Sequence, residues 1–178
     1  MVEFEDVWLL PGWQGSDAQH WQSLWRQRHG FNCLEQHDWQ RPLRGDWSAR
    51  LQETVIDAPR PVVLAAHSLG CILAAWWAAH SPLARTRVRG ALLVAPADTE
   101  QPLMREQLPG WAPVMLQPLP FASIVVASSN DAFCSLERAR IFAGAWGSRL
   151  VDAGPLGHIN SDSGLGAWDA GLSLLQTL

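Results

Sequence analysis

The sequence contains no lysine and no tyrosine, and only 3 cysteines among its 178 residues. Each shortage excludes a class of protein. Without lysine, the 13 positive charges are all arginine; they are scattered and outnumbered by 17 acids, which leaves a net charge of −4. A nucleic-acid binder needs a basic patch, so no nucleic-acid partner is expected. Cys33, Cys71 and Cys134 are odd in number and form no C-x-x-C pair. That argues against a disulfide framework or a zinc site and for a reducing, cytoplasmic setting. The opening stretch MVEFEDVWLLPGW carries acids where an export signal carries bases, so no such signal is expected.

Charge is missing altogether from Val62 to Ala79, a run about long enough for a membrane helix. Pro59 and Pro61 stand before it, however, and His67, Ser68 and Gly70 interrupt its middle. Val-Val-Leu favours a strand, whereas Ile72–Ala79 is rich in helix formers. Two buried elements joined by a tight turn account for the run, and no membrane span is expected.

What is present suits one compact domain over residues 1–178, with 48% hydrophobic and 17% charged residues. Eleven tryptophans stand out but point to no function by themselves. Short apolar runs at Val7–Leu10, Val62–Ala66, Ala91–Val94 and Ile124–Ala127 look like parallel strands covered on both faces, with weaker ones at Asn32–Leu34 and Arg149–Asp152. Helical patterns lie between them at Asp17–Arg28, Asp46–Val55, Leu69–His80, Ser135–Trp146 and Leu165–Thr177. Ser16 with Gln19 reads as a capping box opening the first. The alternation predicts an α/β fold, a three-layer sandwich around a mainly parallel sheet of about six strands. Residues 96–120 hold six of the 12 prolines and read as an ordered excursion that shapes a pocket or merely connects two elements.

Parallel sheets bind ligands beyond the carboxyl ends of their strands, so residues just after each strand are the candidates for chemistry. Ala66-His67-Ser68-Leu69-Gly70 has the small-x-Ser-x-small form of a nucleophile elbow, a sharp turn that lifts Oγ clear of the backbone. Alone, the pentapeptide is equally a helix cap. A serine nucleophile needs a base, and the base needs an orienting acid. Of the histidines after Ser68, His80 lies far along the same helix, whereas His158 sits in the glycine-rich loop 154–160. Asp131 directly follows the strand ending at Ala127 and is the preferred acid; Asp98, after Ala91–Val94, is the runner-up, and Asp152 more naturally ends its strand. His67 points away from the serine beside it and is expected to pack or hydrogen-bond behind the elbow. The backbone N–H groups of Leu69 and of Trp13, after Gly12, are the candidate oxyanion donors.

With these residues placed, the sequence resembles the compact α/β-hydrolase-fold serine hydrolases typified by retinoblastoma-binding protein 9 and its bacterial relatives. The resembling stretches are LPGWQGSDAQHWQ (10–22), LAAHSLGC (64–71), LPFASIVVASSNDAFCSLERA (119–139) and GPLGHINSDSGLGAW (154–168). The resemblance implies a triad of Ser68, Asp131 and His158, an oxyanion loop at Gly12-Trp13 and no large lid domain. His20-Trp21 and Asn160 also fit the family's look, and packing is their expected role.

The expected activity is hydrolysis of a small ester, thioester or amide through an acyl-enzyme. No metal or organic cofactor is required, and Trp13, Trp111 and Phe133 are candidate pocket walls. Activity should rise with pH as His158 loses its proton. The rivals are an inactive member of the fold kept for partner binding, and an acyltransferase.

Overall fold

The computed structural model describes residues 6–178; the acids at positions 3 and 5, which argue against an export signal, lie outside them. Six strands form one sheet in the order β2-β1-β3-β4-β5-β6. They are β1 (Val7–Leu10), β2 (Asn32–Cys33), β3 (Val62–His67), β4 (Val88–Val94), β5 (Ala122–Ala127) and β6 (Arg149–Asp152). Every adjacent pair is parallel, so all carboxyl ends share one edge of the sheet. The sequence expectation of an α/β fold holds, with β3 and β4 at its centre.

The central strands are apolar throughout because both faces are covered. Val62, Leu64 and Ala66 of β3 join the core beneath α2 (Arg44–Asp57), α3 (Leu69–His80) and α6 (Leu136–Trp146). Val63 and Ala65 point to the opposite core, under α1 (Trp21–His29) and α7 (Asp169–Leu175). Side chains alternate across a strand, so one uncharged run serves two cores. Among the described residues, no helix is long and apolar enough to cross a membrane.

The tryptophans explain themselves here. Trp21, Trp25, Trp47, Trp77, Trp111 and Trp146 are fully buried. Five of their indole N–H groups donate to backbone carbonyls of Ile159, Ala167, Asp38, Pro42 and Met115, and that of Trp77 donates to Gln52 Oε1. Each ring fills a core while its N–H staples a distant segment to it.

Two local expectations need correction. Helix α1 begins at Trp21, and His20 caps it: its Nδ1 accepts from the Gln22 N–H, while Ser16 Oγ donates to Gln22 Oε1. Residues 16–20 are diverted to the site below instead of forming a capping box. The last helix starts at Asp169 because Gly164 (φ 66°), Gly166 (φ 56°) and Trp168 (φ 44°) all adopt left-handed backbone. Within residues 96–120 a short helix, α5 (Pro102–Gln107), forms, preceded in the chain by the brief α4 (Ala84–Arg87).

Candidate active site

Ser68 occupies the single residue between β3 and α3, with φ 54° and ψ −118°. A non-glycine residue rarely adopts this backbone and holds it only where its surroundings over-determine it. Here the Ser68 N–H donates to the Val94 carbonyl (3.0 Å), which ties the turn to β4. A Cβ at Gly70 would collide with the carbonyl oxygens of Leu10 and Pro11, so glycine lets α3 start hard against the end of β1. Gly12 approaches from the other side: a Cβ there would lie 2.9 Å from Ser68 Cβ. The smallness demanded of the elbow thus has named causes.

His158 lies beyond β6 and Asp131 beyond β5, and the fold brings both to Ser68. His158 Nε2 is 2.8 Å from Ser68 Oγ, and its Nδ1 is 3.0 and 2.9 Å from the two Asp131 oxygens. A carboxylate only accepts, so the neutral ring carries its proton on Nδ1 and presents a bare Nε2 to the hydroxyl. Asp131 Oδ1 also accepts from the Phe133 N–H (2.9 Å), and the carboxylate is almost wholly buried.

The other candidates stand elsewhere. Asp98 pairs with Arg138 at 3.3 Å. His80 Nδ1 bonds the Trp76 carbonyl at the end of α3. Asp152 accepts from the Gly154 N–H and closes the turn after β6. His67 does lie behind the elbow, with Nε2 2.9 Å from the His158 carbonyl. Burial, together with the neighbouring histidines, lowers its pKa well below the ordinary value. Burial likewise lowers that of His20 to about 4, so both rings are neutral at physiological pH.

A cavity of about 400 Å³ opens over Ser68, with Gly12, Trp13, Leu69, Met104, Phe133 and His158 in its walls. Trp13 and Leu69 line it, and neither backbone N–H has a protein acceptor among the described residues. The Phe133 ring sits 4.6 Å from that of His158 and remains 37% exposed. Trp111 is not a wall. It is fully buried against Trp47, its N–H donating to the Pro42 carbonyl (2.8 Å), and it anchors the proline-rich excursion to the core. The excursion reaches the cavity through Met104, which no sequence pattern singles out because α5 has no clear periodicity. His20, Asp17 and Ser161 also line the cavity. Of these only His20 was singled out from the sequence, through the family resemblance, and packing was its expected role.

A parallel sheet with an elbow serine at its central strand and a histidine loop beyond its last strand defines the α/β-hydrolase class. Within it, the serine hydrolase family matches residues 7–177, and the chain belongs to that family. A YdeN-like hydrolase of Pectobacterium atrosepticum is 32% identical over 95% of this chain and 87% of its own, with a TM-score of 0.83. The ydeN product of Bacillus subtilis is 19% identical over 97% of each chain (TM-score 0.77). A hydrolase of the α/β superfamily from Xanthomonas campestris is 22% identical over 97% and 98% (TM-score 0.65). No curated protein matches the chain. The chain is thus an enzyme of the α/β-hydrolase superfamily.

Proposed function

We propose that this enzyme hydrolyses a small ester, thioester or amide through an acyl-enzyme on Ser68. The observation that carries the reading is the unbroken line from Ser68 Oγ through His158 (2.8 Å) to Asp131 (2.9 Å). As Oγ attacks the acyl carbon, His158 Nε2 takes the hydroxyl proton, and the buried Asp131 carboxylate stabilises the imidazolium. The oxygen of the tetrahedral intermediate accepts from the Trp13 and Leu69 N–H groups, at the start of α3 where the helix dipole favours negative charge. His158 then passes the proton to the leaving group. Water then attacks the acyl carbon, giving its proton to Nε2, and collapse of the second tetrahedral intermediate passes that proton to Ser68 Oγ as the acid leaves.

Trp13 and Phe133 wall the acyl site, and its volume of about 400 Å³ suits a small-molecule substrate. A panel of p-nitrophenyl esters of rising chain length, with aminoacyl amides and thioesters alongside, tests the proposal. Turnover of at least one class that Ser68→Ala abolishes is expected. If no class turns over, the chain is a binding member of the fold; if added amines take the acyl group in preference to water, it is a transferase.

A further inference from the structure

The loop that carries His158 closes on itself through the Leu156 N–H to Gly154 carbonyl (3.0 Å) and Ile159 N–H to Leu156 carbonyl (3.2 Å) bonds, but its carbonyls at His158 and Ile159 are held from outside. Ile159, the next residue, has φ 47°, a conformation that β-branched side chains resist strongly, and it is fully buried. The two carbonyls flanking its Cα are each met by a ring N–H from a different element. His67 Nε2, at the end of β3, lies 2.9 Å from the His158 oxygen. Trp21 Nε1, at the start of α1, lies 3.0 Å from the Ile159 oxygen. We propose that His67 and Trp21 are positioning residues, a two-donor clamp on consecutive carbonyls that maintains the strained Ile159 backbone and so aims the His158 imidazole at Ser68.

His20 braces the clamp. Its ring meets that of His67 edge-on at 4.6 Å and that of Trp21 at 5.4 Å. Its Nδ1 accepts from the Gln22 N–H (3.2 Å), which fixes the ring at the mouth of α1. The tautomers follow from the partners. A carbonyl acceptor requires the proton of His67 on Nε2, and an N–H donor requires that of His20 on Nε2 too. Burial keeps both rings neutral. This suits their place, since a charged imidazole there would oppose the positive charge His158 gains from the serine.

The clamp rests on the acyl-enzyme reading above, and its test separates the two. Phosphonylation of Ser68 by a fluorophosphonate, kcat and KM on a turned-over ester, and thermal unfolding are measured for His67→Leu, His67→Gln and Trp21→Phe. His67→Leu should lower kcat and labelling rate about 100-fold, the usual consequence of a misplaced catalytic group, with KM within about threefold. His67→Gln keeps an N–H at a similar reach and should recover most of that loss. Trp21→Phe keeps an aromatic ring, loses the donor and should fall about tenfold. If His67→Leu unfolds, Trp21→Phe against wild type decides alone. Folded variants that label as fast as wild type overturn the clamp, as does a His67→Gln as slow as His67→Leu. A wild-type protein that never labels refutes the hydrolytic reading itself.

Discussion

The two halves of the site are built from different material. Ser68 is delivered by backbone: a fully buried strand, a fully buried helix start, and two glycines that let neighbouring main chain close in. His158 is delivered by side chains. Its loop contains Gly154 and Gly157 at φ 77° and 60° beside Ile159, and polar groups pin it from outside. Asn130 Oδ1 accepts from the Gly157 N–H (2.7 Å) and Ser128 Oγ from the Leu156 N–H (2.9 Å), while Ser163 Oγ donates to the Leu156 carbonyl (2.6 Å). Regular elements hold the proposed nucleophile as part of the core, whereas the proposed base should be open to misalignment without unfolding the chain. Damage to the serine half should cost stability and activity together. Damage to the histidine half should cost activity nearly alone.

The sharpest way to separate the halves is His158→Ala. It should lower kcat by about 10⁴-fold or more, as loss of a base does in serine hydrolases, with a stability loss of only about 1 kcal/mol, because the buried Asp131 carboxylate loses its ring partner but keeps the Phe133 N–H. Urea denaturation beside steady-state kinetics checks both halves of that statement. Gly70→Ala attacks the other side. Its Cβ meets backbone oxygens that cannot swing away, so a loss of about 2–3 kcal/mol is expected from overpacking, with activity falling alongside. A Gly70→Ala protein as stable as wild type would break the contrast.

Acid should act where the halves meet. The folded-state pKa of His20 is about 4 against 6.5 unperturbed, and that of His67 is lowered in the same direction. As pH falls below 6.5 the unfolded chain takes up protons that the folded chain refuses. Stability is therefore complete above that pH and is lost at roughly 1.4 kcal/mol per pH unit for each such histidine, levelling off for His20 near its folded value. Urea midpoints measured from about pH 7 to about pH 5 should fall, and more shallowly in His20→Gln. Equal slopes in the two proteins would contradict the assignment. The smallest expected effect is that of Asn130→Ala, which frees the Gly157 N–H of a half-buried loop. It should lower kcat about tenfold while costing about 1 kcal/mol or less. A large loss of stability there would mean that the loop is core after all.

The same contrast explains what could be read from sequence. Strands β1 and β3 and helix α3 were legible to the residue or nearly so, because continuous apolar runs bounded by turn residues leave few alternatives, and the weaker expectation at Arg149–Asp152 also matches β6. The elbow, Asp131 and His158 were legible as positions following strands. Whatever depends on single side chains bonding distant backbone was not. Nothing in the local pattern says that His20, in place of Ser16, caps α1, or that Trp111 is a core staple and not a pocket wall. The Trp21 and His67 bonds to the His158 loop span 138 and 91 residues, separations at which periodicity carries no information.

The central proposal is that Ser68, activated through His158, is the nucleophile. Mass-spectrometric mapping of the adduct left by a fluorophosphonate on the intact folded protein tests it most directly. A single phosphonyl group on the peptide containing Ser68, absent from Ser68→Ala and formed far more slowly in His158→Ala, is the expected result. An unmodified protein, or an adduct on any other residue that forms equally fast in Ser68→Ala, would contradict it.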